Sequence, residues 1–161
     1  VPKDLRDELL AVWVDVVNAG GAVGFIAPVR PDDVAPVLDA ALAQVAAGSS
    51  RLVLVRRGGA VGGFCFLLTP AAPHMRHWAT VARLMVAPQE QGTGCGRALL
   101  EGAHDVARRL GLEALRLSAR GGLGLEGFYE RLGYVEIGRF PKAIRVAPGD
   151  DRDEVFFHIP L

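Results

Sequence analysis

The stretch VARLMVAPQEQGTGCGRALLEGAHDVARRL, from Val81 to Leu110, constrains this chain more than any other. An apolar run through Val81, Leu84, Met85 and Val86 stops at Pro88, and a glycine-studded turn follows from Gln91 to Arg97. Leu99, Ala103, Val106 and Leu110 then recur at helical spacing, with Gly111 placed to end the helix. Strand, glycine-rich turn and helix, in that order, aim several backbone N–H groups and a helix N-terminus at one point, which suits an anion. Arg97 adds a positive charge at the mouth. The stretch reads as a phosphate or pyrophosphate cradle.

Spacing narrows the kind of cradle. A Walker-type loop needs Gly-Lys-Ser/Thr, and here Gly96 is followed by Arg97 and Ala98. A dinucleotide fingerprint begun at Gly92 or Gly94 needs a later glycine where the chain has Arg97 or Leu99. What remains is Gln91-x-x-Gly94-x-Gly96.

Composition excludes several classes. At 161 residues, half of them hydrophobic and 22% charged, the chain is expected to fold as one domain, residues 1–161, around a sizeable core. Lys plus Arg and Asp plus Glu both number 18, so no basic field points to nucleic acid or to an anionic membrane. No apolar run approaches the roughly 20 residues that span a bilayer, and no signal-peptide pattern opens the chain. The two cysteines, Cys65 and Cys95, make neither a disulfide framework nor a metal site, and the four histidines lack ligand spacing. A reduced, cytoplasmic setting is expected, with no metal. Oligomeric state is not legible, and a homodimer is left open.

Along the chain, Leu5–Asn18 is amphipathic enough for a helix that ends near Gly20 and Gly21. A short extended piece is expected at Phe25–Val29. Asp32 is expected to cap a second helix over 33–46, with Pro36 tolerated near its first turn. Residues 52–55 and 61–68 read as strands around a turn at Arg57-Gly58-Gly59, and 74–86 contains the strand that enters the glycine turn. After the central helix come a strand at 114–119, a short helix at 125–132 ended by Gly133, and strands at 134–140 and 154–159 around Pro148-Gly149-Asp150.

Gln91-x-x-Gly94-x-Gly96 resembles the acyl-CoA loop of the GCN5-related N-acetyltransferase family, Q/R-x-x-G-x-G/A. A second segment, Glu126-Gly127-Phe128-Tyr129-Glu130-Arg131-Leu132-Gly133-Tyr134, resembles the family's "FYEKLGF". The element order α-α-β-β-β-α-β-α-β-β matches the family fold, a mixed α/β arrangement with a central twisted sheet flanked by helices, without its first strand. Because the chain starts at Val1 inside the lead-in to the first helix, it is expected to be trimmed at that end. The tail, "YVEIGRFP" then "PGDDRDEVFFHIPL", is similar to the tabtoxin-resistance branch, which implies a small primary amine as acceptor.

The resemblance implies acetyl transfer from acetyl-CoA by direct attack on the thioester. The N–H groups of Gly92, Thr93, Gly94, Cys95, Gly96 and Arg97, with Gln91 at the loop's start, are expected to hold the pyrophosphate. Cys95 stands where the family has Ile or Val, so its side chain is expected to pack beneath the loop. Leu84, Met85 and Val86 are implied to meet pantetheine, with the Val86 N–H at the oxyanion. Tyr129 matches the family tyrosine that donates a proton to the departing thiolate, a transfer that costs roughly 2 kcal/mol for a tyrosine near its ordinary pKa. Tyr134 is expected in the core.

The general base is open. Many members carry a Glu just before "L-x-V", where this chain has Ala82 and Arg83. His74, His77, Glu126 or a water chain are the alternatives. Trp13, Phe25, Trp78 and Phe140 could wall an acceptor site, and Arg83 or Arg139 could meet a substrate carboxylate. A non-catalytic acyl-CoA-binding module and a protein or peptide acetyltransferase are the competing functions.

Overall fold

The periodicities resolve in the computed structural model, which describes residues 1–21 and 23–161, into helices and strands in the expected order. They are α1 (Lys3–Asn18), α2 (Pro31–Ala46), β1 (Ser50–Arg57), β2 (Ala60–Leu68), β3 (Trp78–Val86), α3 (Cys95–Arg109), β4 (Ala114–Arg120), α4 (Leu125–Arg131), β5 (Val135–Ala147) and β6 (Asp150–Pro160). The strands form one sheet in the order β1-β2-β3-β4-β6-β5. Only β3 and β4 pair in parallel, because α3 carries the chain across between them; every other neighbour is antiparallel.

Both faces of the sheet are covered, which explains the nearly unbroken apolar run in β2. Cys65 and Leu67 face a cluster shared with Leu99, Leu100, Ala103 and Ala107 of α3 and Tyr129 of α4. Phe64 and Phe66 face Leu9, Trp13 and Val16 of α1 and Val34 and Leu38 of α2. Each fully buried Leu or Phe contributes roughly 1.5–3 kcal/mol. Tyr134 lies in the first cluster, and its hydroxyl meets His104 Nε2 at 2.9 Å.

Three local expectations change. The second helix begins at Pro31, not after Asp32, because the Asp33 carboxylate reaches back to the Arg30 N–H at 2.8 Å and completes a capping box there. Residues 25–29 form bends and no strand. Asn18 replaces a strand partner: its Nδ2 donates to the Val29 carbonyl (3.0 Å) and its Oδ1 accepts the Val29 N–H (2.8 Å). Strands β5 and β6 run on as a long hairpin to a turn at Gly149, whose φ is +79°, so the acidic stretch Asp150–Asp153 is strand and not loop.

Candidate active site

The site begins where β3 and β4 separate. Their ladder holds only Trp78 with Ala114, Ala79 with Leu115 and Thr80 with Arg116. From Val81 on, the facing edges have no strand partner among the described residues, which leaves backbone N–H and C=O groups available to a ligand. A bulge sharpens the parting. Cys65 stands opposite both Arg83 and Leu84, between the pairs Phe64–Met85 and Phe66–Ala82. Arg83 is the extra residue, at φ +52°, a left-handed conformation that costs a non-glycine residue about 1–2 kcal/mol. The insertion sends Leu84 to the α3 side and returns Met85 to the α1 side.

The glycine loop closes one end of this gap. Gly92 and Gly94 take φ of +76° and +86°, and Gly94 is the N-cap of α3. Ala98 N–H makes the first bond of the helix, to Gly94 O (3.0 Å), so the N–H groups of Cys95, Gly96 and Arg97 precede the hydrogen-bonded turns. A Cβ placed on Gly96 would lie 3.5 Å from both Val86 Cγ2 and Phe128 Cζ, so the glycine faces the gap between β3 and α4. Gln91 Nε2 donates to the Val86 carbonyl (3.2 Å) and ties the loop to the strand end.

A cavity of about 1160 Å³ runs from this loop through the gap to the end of α1. That is ample for a cofactor-sized ligand. Its far end is walled by Gly20, Gly21, Phe25, Arg83, Ser118, Arg120, Ile144 and Glu154, among others. Ser118, Arg120 and Glu154 share one face of β4 and β6, with Arg120 and Glu154 register partners. Ser118 Oγ donates to Glu154 Oε1 at 2.6 Å. Glu154 is the sole acidic residue lining the cavity among the described residues.

The family model described as an acetyltransferase (GNAT) domain matches residues 48–136, more than half of the chain and all of the gap, glycine loop and α4. The chain belongs to the GNAT acetyltransferases. Solved structures share the fold. The ribosomal-protein-alanine N-acetyltransferase of Brucella melitensis is 21% identical with a TM-score of 0.81, covering 100% of this chain and 97% of its own. A GCN5-related N-acetyltransferase of Kribbella flavida is 24% identical at 0.76, covering 100% and 95%. The yncA protein of Salmonella typhimurium, solved with acetyl-CoA, is 20% identical at 0.80, covering 100% and 91%. The protein is accordingly an N-acetyltransferase.

Within this GNAT fold the residues singled out from sequence separate into groups. Leu84, Met85, Val86, Gln91, Gly92, Gly94, Gly96, Arg97 and Tyr129 line the cavity. Thr93 and Cys95 do not: Thr93 Oγ1 turns back to the Glu90 carbonyl (2.7 Å), and Cys95 is fully buried beside Gly62. Arg97 leans one turn along α3 to Glu101 (2.8 Å), an exposed pair that offsets part of its charge at the mouth. No three His, Cys, Asp or Glu residues converge as metal ligands among the described residues.

Tyr129 packs against Tyr134 and Phe157, with ring centroids 5.9 and 5.4 Å away. Burial, with a smaller contribution from nearby Cys65, pushes its hydroxyl up to about 12. None of the three side chains named from the sequence as a base lines the cavity. His74 and His77 are exposed on the approach to β3, and the Glu126 carboxylate accepts the Gly122 N–H at 3.2 Å. Of the aromatic residues, Phe25 lines the cavity and Trp13 lies under Arg83. Trp78 stacks on Arg116 instead, and Phe140 is exposed. Arg139 is taken up by Glu136 at 2.7 and 2.8 Å. Sequence reasoning passed over Glu154 and Arg120, which sit in charge-rich stretches with no motif around them.

Proposed function

We propose that this enzyme uses acetyl-CoA to acetylate the primary amine of a small molecule by direct transfer, with acetyl-CoA in the gap between β3 and β4. The observation that carries the reading is the unpaired edge of β3 from Val81 to Val86, continuous with the N–H groups that open α3. The fit is supported by Gly96, the position at which a side chain beyond Cβ would enter the gap. Acetyl-CoA supplies an activated thioester. The loop from Gly92 to Arg97 holds its pyrophosphate through backbone N–H groups, and the exposed edge of β3 at Met85 and Val86 orients the pantetheine, with the Val86 N–H facing the oxyanion.

Glu154 receives the amine proton, directly or through a water, so that a neutral amine attacks. Tyr129 donates a hydrogen bond to the departing sulfur. Complete transfer from a hydroxyl raised to about 12 to a thiolate near 8.5 costs about 5 kcal/mol, against roughly 2 for an ordinary tyrosine. The hydroxyl therefore stabilises the sulfur mainly as a donor, and solvent completes the protonation. The acceptor end of the cavity is bordered by the end of α1, the 23–26 segment and the β5–β6 hairpin, and we read it as the place of a small acceptor. The test is thiol release from acetyl-CoA against two panels, small amines and peptide N-termini. Transfer to small amines is expected. Transfer confined to peptides would refute the substrate class, and absence of both transfer and acetyl-CoA binding would refute the assignment.

A further inference from the structure

The acceptor end of the cavity has an uneven set of charges. Four arginines line the cavity: Arg83, Arg97, Arg120 and Arg145. Two have partners, Arg97 with Glu101 and Arg145 with Asp151 (2.7 and 2.9 Å). Arg83 and Arg120 have no carboxylate within ion-pair distance among the described residues. Arg120 spends one N–H on the Gly20 carbonyl (3.1 Å), leaving most of a five-donor fork unused. The Arg83 side chain makes no hydrogen bond among the described residues. Its guanidinium lies 5.3 Å above the centre of the buried Trp13 ring, and partial burial holds it below the ordinary arginine value.

Neither placement is accidental for the backbone. Arg83 is the inserted residue of the β3 bulge and sits in a strained conformation. Strain of this kind persists where the surroundings impose it, and it gathers at ligand sites. The bulge turns a guanidinium off the α3 face, where alternation would put it, and over Trp13. Arg120 stands next in register to Glu154, yet the carboxylate engages Ser118 and not the guanidinium. Two cations without a carboxylate partner among the described residues, and one carboxylate, therefore border the same cavity.

We infer that the acceptor is an amine that also carries a carboxylate, an amino acid in the broad sense, its carboxylate held by Arg83 and Arg120 and its ammonium drawn to Glu154. Arginine's planar fork suits a carboxylate, and a bidentate contact adds orientation as well as affinity. Holding the carboxylate at the arginines leaves the amine to point at Glu154 and the gap. No chemistry is added to the reaction already proposed: the ammonium passes one proton to Glu154, the neutral nitrogen bonds to the acetyl carbon, the carbon–sulfur bond breaks, and the nitrogen's second proton leaves through solvent, which also protonates the CoA thiolate. The inference rests on the acetyl-CoA reading above.

The experiment pairs amino acids with their decarboxylated amines, such as methionine with 3-(methylthio)propylamine and leucine with isoamylamine. Rates of thiol release are measured for the wild type, Arg83→Met and Arg120→Met, alongside the melting shift each amino acid produces with CoA present. Amino acids are expected to exceed their amines at least tenfold in kcat/KM and to raise the melting temperature of the CoA complex. Either substitution should shrink the preference to a few-fold, chiefly through KM, while the melting shift from acetyl-CoA alone persists. Arg83→Lys should restore part of it. Equal use of amines lacking the carboxylate, or a preference that survives both substitutions, would overturn the inference while leaving the acetyl-CoA reading intact. Loss of the acetyl-CoA shift in the wild type would overturn both.

Discussion

A size series at Gly96 separates folding from ligand binding. A Cβ there meets Val86 Cγ2 and Phe128 Cζ at 3.5 Å, ordinary contact distance, and Gly96 is not in the left-handed region. Gly96→Ala should therefore fit, and by restricting the unfolded chain it should stabilise the free protein by about 0.4–1 kcal/mol. At about 2–4 °C per kcal/mol, the melting temperature rises by a few degrees at most. Gly96→Val adds two methyl groups about 1.5 Å further out. With Val86 and Phe128 already in contact with Cβ, at least one methyl must project into the gap. Acetyl-CoA at 100 times its dissociation constant stabilises by about 2.7 kcal/mol, or roughly 5–10 °C on the same scale. The Ala variant should keep most of that shift and the Val variant should lose it. Differential scanning fluorimetry of the three proteins, with and without acetyl-CoA, reads both effects. A full shift in Gly96→Val would refute the cradle. Gly94 is a poorer probe, because any side chain at φ +86° is strained even without ligand.

Further outcomes test the chemistry and the core. Glu154→Gln should lower kcat/KM by roughly 10²–10⁴, whereas His74→Ala and His77→Ala should change it only a few-fold; steady-state kinetics with the inverse pattern would show the base is misplaced. Tyr129→Phe should reduce kcat at least tenfold with acetyl-CoA affinity nearly unchanged, and an undiminished kcat would remove Tyr129 from the reaction. Stability should fall in alkali: burial raises Tyr129 to about 12 from 10.0 and Cys65 to about 12 from 9.0. Both are neutral in both states below about pH 8, so their contribution is fully present there. It is lost between about pH 8 and 12 as the unfolded chain ionises first, on the order of 3 kcal/mol for Tyr129 alone. A urea midpoint unchanged between pH 8 and 10.5 would contradict that burial.

Local signals carried the architecture well. The helix and strand order was legible because periods of 3.6 and 2 leave their mark within a few residues, and Gly111, Gly133 and Gly149 stop their elements in left-handed conformations. The features that make the site belong to tertiary structure. Separation of β3 from β4 after Thr80 is a fact of pairing register, and no residue in either strand announces it. The bulge at Arg83 lacks the glycine that would have marked it. Glu154 reads from sequence as the first residue of the last strand, with no motif around it, and only its pairing with Arg120 and Phe140 in a long hairpin brings it to the cavity. Conversely, His74 and His77 looked useful by proximity in sequence, but they lie outside the cavity lining.

A crystal structure of the protein with CoA would show directly whether the cofactor occupies the gap between β3 and β4. Pantetheine is expected between Val81–Val86 and Leu117–Arg120, the pyrophosphate on the N–H groups of Gly92–Arg97, and the thiol near the Tyr129 hydroxyl with Glu154 beyond it. CoA bound anywhere else, or a β3–β4 ladder that zips shut past Thr80 with CoA excluded, would contradict that placement.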